Sequence, residues 1–274
     1  MSKTFSVSGQ HYLFDVQTFA HTVLAAGGDE YSYALRDRTT QGVIDDVAQG
    51  VSELGILLKT SASDAALDEA FKAAGVRYTE LVQSAPRVAL PSSHPMSNAK
   101  SLTLDDLADW PYIYFDQGKD APAEFAEEAV CDPACAKKIA TTDRASLSEL
   151  CVALNGYTVT SGILVGIADG PALTTVPLET DVTIHLGYIT KDDAELSALG
   201  ESFLGRLKKN LERYVASLYG KMARITSKVT GGMVRLRPFS WRWAFDCCSE
   251  CISRKGCFSP CSLGTRRGAA PLSR

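Results

Sequence analysis

The apolar positions of this chain fall into short blocks whose spacing changes from strand-like to helical and back. In residues 33–58, YALRDRTTQGVIDDVAQGVSELGILL, the first four residues alternate as a strand does. A helical apolar stripe follows at Val43, Ile44 and Val47, with acidic and amide side chains on the opposite face. Residues 54–58 are then a continuous apolar run, which is typical of a strand covered on both faces. The stretch therefore predicts one βαβ unit.

The ends of the predicted helix carry residues that can satisfy free backbone groups. Either Thr39 or Thr40 can cap its N-terminus, because a hydroxyl oxygen there accepts from an otherwise unpaired backbone N–H. Gly50 lies where a left-handed C-cap is favoured. Open α/β sheets bind ligands at helix N-termini just beyond the C-terminal ends of strands. The unit therefore predicts a ligand site as well as part of a fold.

The same spacing criteria divide the rest of the chain into alternating strands and helices. Further strands are predicted over 3–7, 77–82, 87–90, 111–115, 139–141, 157–164, 173–177 and 182–188. Further helices are predicted over 12–26, 64–74, 103–108, 125–130, 146–154 and 192–219. This alternation is typical of the α/β class.

Four stretches, in this order, resemble the effector-binding domain of LysR-type transcriptional regulators. The threonine-capped helix and the Glu-Leu-Gly-Ile of residues 53–56 resemble the family's "xxVxxxVxxG" helix and "(E/D)LGI" strand. Residues 87–96, RVALPSSHPM, resemble its strand and "PxxHP" turn, and residues 101–115, SLTLDDLADWPYIYF, its next helix and strand. Residues 142–164, TDRASLSELCVALNGYTVTSGIL, resemble its second-lobe helix and the glycine-containing strand after it. Together the stretches span roughly residues 3–219.

The resemblance implies two Rossmann-like lobes joined by two crossing strands, which is the type 2 periplasmic-binding-protein-like arrangement. We expect the effector-binding domain over residues 1–222, with crossings near 81–86 and 185–190. Lobe I takes about 1–82 and 189–222, and lobe II about 87–186. An irregular tail, 223–274, is expected to be disordered or non-native in origin, because it lacks the apolar periodicity that a core needs.

Charge and cysteine content change at the same boundary. The tail carries ten Lys/Arg and two Asp/Glu, a net charge of +8, which leaves −12 for the rest of a chain whose net charge is −4. An acidic body repels phosphate, so we expect no nucleic-acid binding by the globular part. Five of the eight cysteines lie in the tail. A zinc site there is an alternative, but the paired CxxC spacing of zinc knuckles is missing, and no metal is expected.

The chemistry-bearing residues do not form an enzyme motif. The four histidines are scattered, and the chain has no GxSxG, P-loop or GxGxxG sequence. We therefore expect no catalysis and no cofactor. Hydroxyl residues at predicted helix starts remain, and they have two interpretations: ordinary N-capping, or a cleft in which helix N-termini hold a small anion.

The resemblance implies a set of effector-binding positions in the loops that face the cleft. Ser8 and Thr40 are the foremost of them, and Asp143 and Arg144 could instead pair with each other. The full set is Ser8, Gly9, Gln10, Thr39, Thr40, Gln117, Asp143, Arg144, Thr158, Ser161 and Gly162.

The leading hypothesis is a cytoplasmic sensing domain for a small molecule, an anionic metabolite, in a LysR-type regulator. The family implies a homodimer formed through lobe I. The N-terminal residues lack a signal sequence and the chain lacks a long apolar run, so neither export nor membrane insertion is expected. DNA contact would require a helix-turn-helix that we expect this chain to lack, since it starts two residues before the first strand. A solute-binding protein of a transport system is the alternative, and an enzyme on the same scaffold is a third possibility.

Overall fold

The computed structural model describes residues 3–128, 135–165 and 172–229. The chain divides into two compact units, 1–226 and 227–274, and the first of these holds all the strands named below. That unit has the predicted mixed α/β fold, with one sheet in each of two lobes and a short strand pair beside the second sheet.

Lobe I is built on a five-stranded sheet in the order β2-β1-β3-β10-β4. β1 pairs in parallel with both β2 and β3, whereas β10 runs antiparallel between β3 and β4. Every residue of β3 is buried, which explains the continuous apolar run in the sequence. The strands are β1 Lys3–Gly9, β2 Tyr31–Asp37, β3 Leu54–Thr60, β4 Val76–Ser84 and β10 Ile184–Lys191.

Four helices cover the two faces of this sheet. The apolar stripe of α2 is fully buried and joins a cluster with Leu57 and Phe71. Burying such a side chain contributes about 1.5–3 kcal/mol. Thr39 is the N-cap of α2, its hydroxyl accepting from the Gly42 backbone N–H at 3.2 Å, and α3 ends at Gly75 with a φ of 66°. The helices are α1 Leu13–Ala26, α2 Thr40–Ala48, α3 Asp64–Ala74 and α5 Ala198–Val229.

Lobe II has smaller sheets and one long helix. The strand β5 lies between β8 and β9 and is antiparallel to both, while β6 and β7 form a parallel pair. These elements are β5 Arg87–Pro91, β6 Tyr112–Phe115, β7 Lys138–Thr141, α4 Arg144–Leu154, β8 Thr158–Thr160 and β9 Leu173–Pro177.

The two lobes are connected by adjacent strands, as predicted. β4 leads into β5 of lobe II, and β10 returns from lobe II to lie between β3 and β4 in the lobe I sheet. β4 and β10 pair along their whole length, from Ser84 with Ile184 to Val76 with Lys191. A register shift between Leu186 and Gly187 interrupts this ladder.

Three predicted elements of lobe II differ markedly from the structure. In the described part of the helix predicted over 125–130, a single 3-10 turn spans Ala123–Phe125 and residues 126–128 are not helical, because the carboxyl groups of Glu127 and Glu128 accept hydrogen bonds from buried backbone N–H groups. The strand predicted over 157–164 is limited to Thr158–Thr160, since Gly162 has a φ of 80°. The helix predicted over 103–108 is one 3-10 turn, Asp105–Leu107.

The closing helix, predicted over 192–219, instead begins at Ala198 and continues to Val229. It therefore extends past residue 222, the predicted end of the effector-binding domain. The structure of residues 230–274, and with it the predicted state of most of the tail, lies outside the described residues.

Candidate ligand site between the lobes

A buried hydrogen-bond network joins the loop after β1 to the start of α2. Gln10 is 1% exposed and its amide nitrogen donates to the Thr40 hydroxyl at 2.5 Å. The side-chain oxygen of Gln10 accepts from the Tyr12 hydroxyl at 2.8 Å and from the Leu58 backbone N–H at 2.9 Å. Because all its polar atoms have partners, the Gln10 side chain is fixed and it fixes Thr40 in turn.

Thr40 carries the network from lobe I to lobe II. Its backbone N–H donates to the Gln117 side-chain oxygen at 2.8 Å, and its hydroxyl donates to the Phe125 backbone carbonyl at 2.7 Å. Both partners follow β6 of lobe II in the sequence. The first residue of α2 is therefore a bridge between the lobes, whereas the helix cap is supplied by Thr39.

The Glu127 carboxylate is the acceptor at the centre of the inter-lobe contact. One of its oxygens accepts from the His11 backbone N–H at 3.0 Å, and the other accepts from the Gln117 amide at 2.9 Å. The His11 Nδ1 lies 2.9 and 3.0 Å from the two oxygens. The carboxylate is 2% exposed, so charge-assisted hydrogen bonds replace its lost hydration.

The contacts of the His11 ring require it to be protonated. Nε2 lies 3.1 Å from the carbonyl oxygen of Thr142, which can only accept, and Nδ1 faces the Glu127 carboxylate. Both ring nitrogens must therefore donate. Burial lowers the pKa of His11, but the hydrogen bond and charge of Glu127 outweigh burial and leave the pKa raised. The ring also stacks on Phe115 at 4.2 Å.

Burial raises the pKa of two further carboxyl groups, those of Glu128 and Asp15. Burial, with the charge of Glu127 as a smaller cause, raises the pKa of Glu128 to about 8, and one of its oxygens accepts from the Phe115 backbone N–H at 2.8 Å. Burial also raises the pKa of Asp15 well above its usual range. One Asp15 oxygen accepts from the Val16 backbone N–H, while the other, also buried, has no hydrogen-bond partner. At neutral pH the raised pKa leaves the Glu128 carboxyl largely uncharged.

The other predicted lobe I positions lie in β1 or at the helix cap. Ser8 is inside β1, not after it, and its hydroxyl donates to Asp46 at 2.6 Å and lies 2.8 Å from the Ser52 hydroxyl. Gly9 ends β1, and a Cβ at this position would lie 2.4 Å from the Asp15 carboxyl. The side-chain partners of Ser8 and Gln10 belong to lobe I, whereas Thr40 contacts lobe II directly.

The predicted lobe II positions also fall into two groups, one close to the His11–Glu127 pair and one close to the strands that connect the lobes. Asp143 caps α4 by accepting from the Ser146 backbone N–H at 2.8 Å, and the Arg144 guanidinium lies 5.8 Å from the centre of the Phe115 ring. Gln117 and Arg144 are thereby close to the His11–Glu127 pair. Three other predicted positions lie near the strands that connect the lobes. Thr158 pairs with Ala89 of β5, and the Ser161 backbone carbonyl accepts from the Ser84 hydroxyl at 3.1 Å. Gly162 packs against the Arg87 side chain.

Four residues of the site were not predicted from the sequence. His11, Asp15, Glu127 and Glu128 are buried, but charged residues in loops and helix turns are usually exposed. The signal that could have identified His11 is its place directly after a predicted strand, the position already used for Ser8 and Gln10. No local signal identifies Glu127, since its partner lies 116 residues away in the sequence.

Two surface pockets lie away from this hydrogen-bond network. One has a volume of about 450 Å³ and is lined by residues that include Lys59, Asp68 and Tyr78; the other, of about 490 Å³, is lined by residues that include Tyr188 and Glu195.

Among the described residues, no group of three His, Cys, Asp or Glu side chains could hold a metal ion. Every helix within the described ranges is too short or too polar to cross a lipid bilayer.

Comparison with known proteins identifies a family and a fold. The family model described as the LysR substrate-binding domain matches residues 30–212. The reduced OxyR regulatory domain from Pseudomonas aeruginosa superimposes with a TM-score of 0.56 at 12% identity, covering 76% of this chain and 96% of that one. No curated protein sequence matches.

Two more solved structures agree in fold. HinK, a LysR family transcriptional regulator from Pseudomonas aeruginosa, gives a TM-score of 0.51 at 17% identity, covering 77% of this chain and 70% of that one. A hydrogen-peroxide-bound OxyR mutant from Corynebacterium glutamicum gives 0.51 at 15% identity, covering 86% and 73%. At these identities the likeness establishes the fold alone.

Proposed function

Because the chain belongs to the LysR substrate-binding domain family, we propose that it is the small-molecule sensing domain of a transcriptional regulator. The effector binds between the lobes, where Gln10 and Thr40 of lobe I meet Gln117 of lobe II. The observation that carries this proposal is the buried polar network that crosses the lobe junction through Thr40 and His11. A molecule that binds there changes the relative free energies of lobe arrangements and so shifts their populations.

The effector is proposed to be an anion, a small carboxylate. The groups that converge at the junction are chiefly donors: the His11 backbone N–H, the protonated His11 ring and the Gln117 amide. The Arg144 guanidinium nearby adds a second positive charge. Charge-assisted hydrogen bonds of this kind favour a carboxylate over a neutral ligand.

A metabolite screen on the wild-type chain, read by thermal shift and then by calorimetric titration, tests the proposal. Replacing Thr40 with Val keeps the shape of the side chain and removes its hydroxyl. We expect the affinity for the effector to fall by about 1–3 kcal/mol, the cost of leaving a buried polar group unpaired.

Thr39→Val is the matched control for this experiment. It removes the helix cap and should lower stability by about 0.5–2 kcal/mol, with a smaller loss of effector affinity than Thr40→Val. An effector that binds Thr40→Val and the wild-type chain equally well would contradict the placement of the site at Thr40. A screen of anionic metabolites without any stabilising compound would contradict the sensing function.

We further propose that the domain acts in the cytoplasm as a homodimer formed through lobe I. Four of the large apolar side chains that are exposed lie in this lobe. Leu24 is 78% exposed and Tyr31 is 50% exposed, and Val16 and Val51 are also exposed. These side chains lie on α1, on the edge strand β2 and in the loop after α2, and exposed apolar surface there is available for a protein–protein contact.

A further inference from the structure

A segment of lobe II, residues 122–128, is inserted into lobe I. Its Phe125 side chain is 6% exposed and belongs to an apolar cluster whose other buried members all come from lobe I. These are Val43, Ile44, Val47, Leu57, Leu67, Phe71, Val76 and Ile189. The ring therefore fills a position that lobe I would otherwise have to fill itself, and it anchors the segment across the junction.

The same segment delivers a carboxylate to the donors at the junction. Two residues after the anchor, Glu127 accepts from the His11 backbone N–H, the His11 ring and the Gln117 amide, at 2.9 to 3.0 Å. The Phe125 carbonyl takes the hydrogen of the Thr40 hydroxyl. The segment thus uses the groups that a bound anion would use, and it does so while buried.

We propose that the Glu127 carboxylate occupies the subsite of the effector's carboxylate, so that residues 122–128 are an internal ligand which the effector displaces. The inference rests on the proposed function for the identity of the effector, but the carboxylate subsite itself can be tested without one. An external carboxylate restores the same three hydrogen bonds and the same charge. Replacing the Glu127 carboxylate with the effector's carboxylate therefore changes the free energy little. The affinity of the effector comes from contacts made by the rest of the molecule.

The surroundings of the subsite suit one negative charge. The protonated ring of His11 is surrounded by Glu127 and the Thr142 carbonyl, and loss of the carboxylate leaves this buried cation unpaired. An unpaired buried charge is strongly destabilising. Because burial raises the pKa of Glu128 to about 8, this neighbouring carboxyl adds little negative charge against an incoming anion at neutral pH.

Glu127→Ala, with acetate as the probe, tests the subsite. In chloride buffer we expect the melting temperature of this variant to lie roughly 5–10 °C below that of the wild type. Acetate should recover about half of that loss in a saturable way, because it fits the space left by the deleted carboxymethyl group. Chloride at the same ionic strength should recover none of it.

The matched control is Glu124→Ala, which removes an exposed carboxylate three residues earlier. Neither this control nor the wild type should respond to acetate. If Glu127→Ala does not fold, Phe125→Ala loosens the anchor with the carboxylate in place and should show a larger acetate response than the wild type. An acetate response no larger than that of the wild type, in whichever of the two variants folds, would overturn the proposal.

This outcome is separable from a failure of the proposed function. If the metabolite screen finds no effector but acetate stabilises Glu127→Ala, the subsite stands and the sensing role fails. If an effector binds the wild type but acetate does not stabilise the variant, the sensing role stands and the internal ligand is wrong.

Discussion

At the residue scale, Glu128 shows how burial changes the chemistry of a carboxyl group in this site. Glu128 is 2% exposed, and one of its carboxyl oxygens accepts a hydrogen bond from the Phe115 backbone N–H. Burial beside Glu127 raises its pKa from 4.5 to about 8. The folded protein therefore binds a proton here that the unfolded chain has released at neutral pH.

The sign of the resulting pH dependence follows from linkage. A folded-state pKa above the unfolded value gives stability that is present at low pH and is lost as pH rises from about 4.5 to about 8. Within that window the slope is about 1.4 kcal/mol for each pH unit. Glu128→Gln mimics the protonated form, so its melting temperature should match the wild type near pH 5 and exceed it increasingly towards pH 8.

The measurement is the difference in melting temperature between wild type and Glu128→Gln across this range. Other titrating groups, including His11, are present in both proteins and cancel in that difference. Parallel melting curves at all pH values would show that Glu128 is ionised in the folded state at neutral pH.

Single residues were only partly predictable from the sequence. Gln10, Thr40 and Gln117 were predicted as site positions, and the structure brings these three together. His11 and Glu127 were not predicted, because their role depends on a contact between residues 116 apart, which periodicity and capping rules do not contain. That these residues bind the effector remains a prediction.

At the element scale, β3 and α2 pack closely against each other in lobe I. Gly55 of β3 faces this contact, and a Cβ added there would lie 2.5 Å from Val43 and 2.9 Å from Ile189. The glycine therefore permits the close approach of helix to sheet. The Leu-Gly-Ile sequence in this strand has a packing reason independent of any ligand.

Gly55→Ala should destabilise the protein by about 1–3 kcal/mol, the typical cost of overpacking a core. Gly205→Ala is the control, since this glycine lies in α5 with nothing within 4 Å of its added Cβ. Alanine in a helix interior should there stabilise by about 0.5–1 kcal/mol. Chemical denaturation measures both, and changes of the same sign would contradict the packing argument.

Elements that depend on local signals were predicted well, and those that depend on tertiary contacts were not. The helix over 64–74 and the strand over 173–177 have the predicted bounds, because caps and turn residues mark their ends. The helix predicted over 125–130 is wrong within the described residues. Its amphipathic pattern was real, but Phe125 and the two glutamates are buried in different environments across the lobe junction.

At the scale of the whole molecule, the family and the two-lobed fold are confirmed, whereas the predicted domain boundaries, the homodimer and the cytoplasmic location remain predictions. Both family and fold could be predicted because four stretches in sequence order carry them. The assembly could not be predicted from residues alone, since exposure of an apolar side chain depends on the folded surface. Leu24, on α1, is the most exposed of the large apolar side chains.

Leu24→Glu should convert a homodimer into a monomer, because it places a charge in the middle of the proposed interface. Leu154→Glu is the control, since Leu154 is 44% exposed at the end of α4 in lobe II. Sedimentation equilibrium on both variants measures the effect. A monomeric wild type, or a dimer in Leu24→Glu, would contradict the lobe I interface.

The insertion of residues 122–128 also bears on how much effector is needed for a response. Glu127 is only ten residues from Gln117, so the tether holds it near its donors at an effective concentration on the order of millimolar. An external carboxylate that makes no further contacts must exceed this effective concentration before half of the molecules respond. The dose at which the regulator switches would then be set by the length and anchoring of this loop, and changes between residues 118 and 126 could retune sensitivity without altering which molecule is recognised.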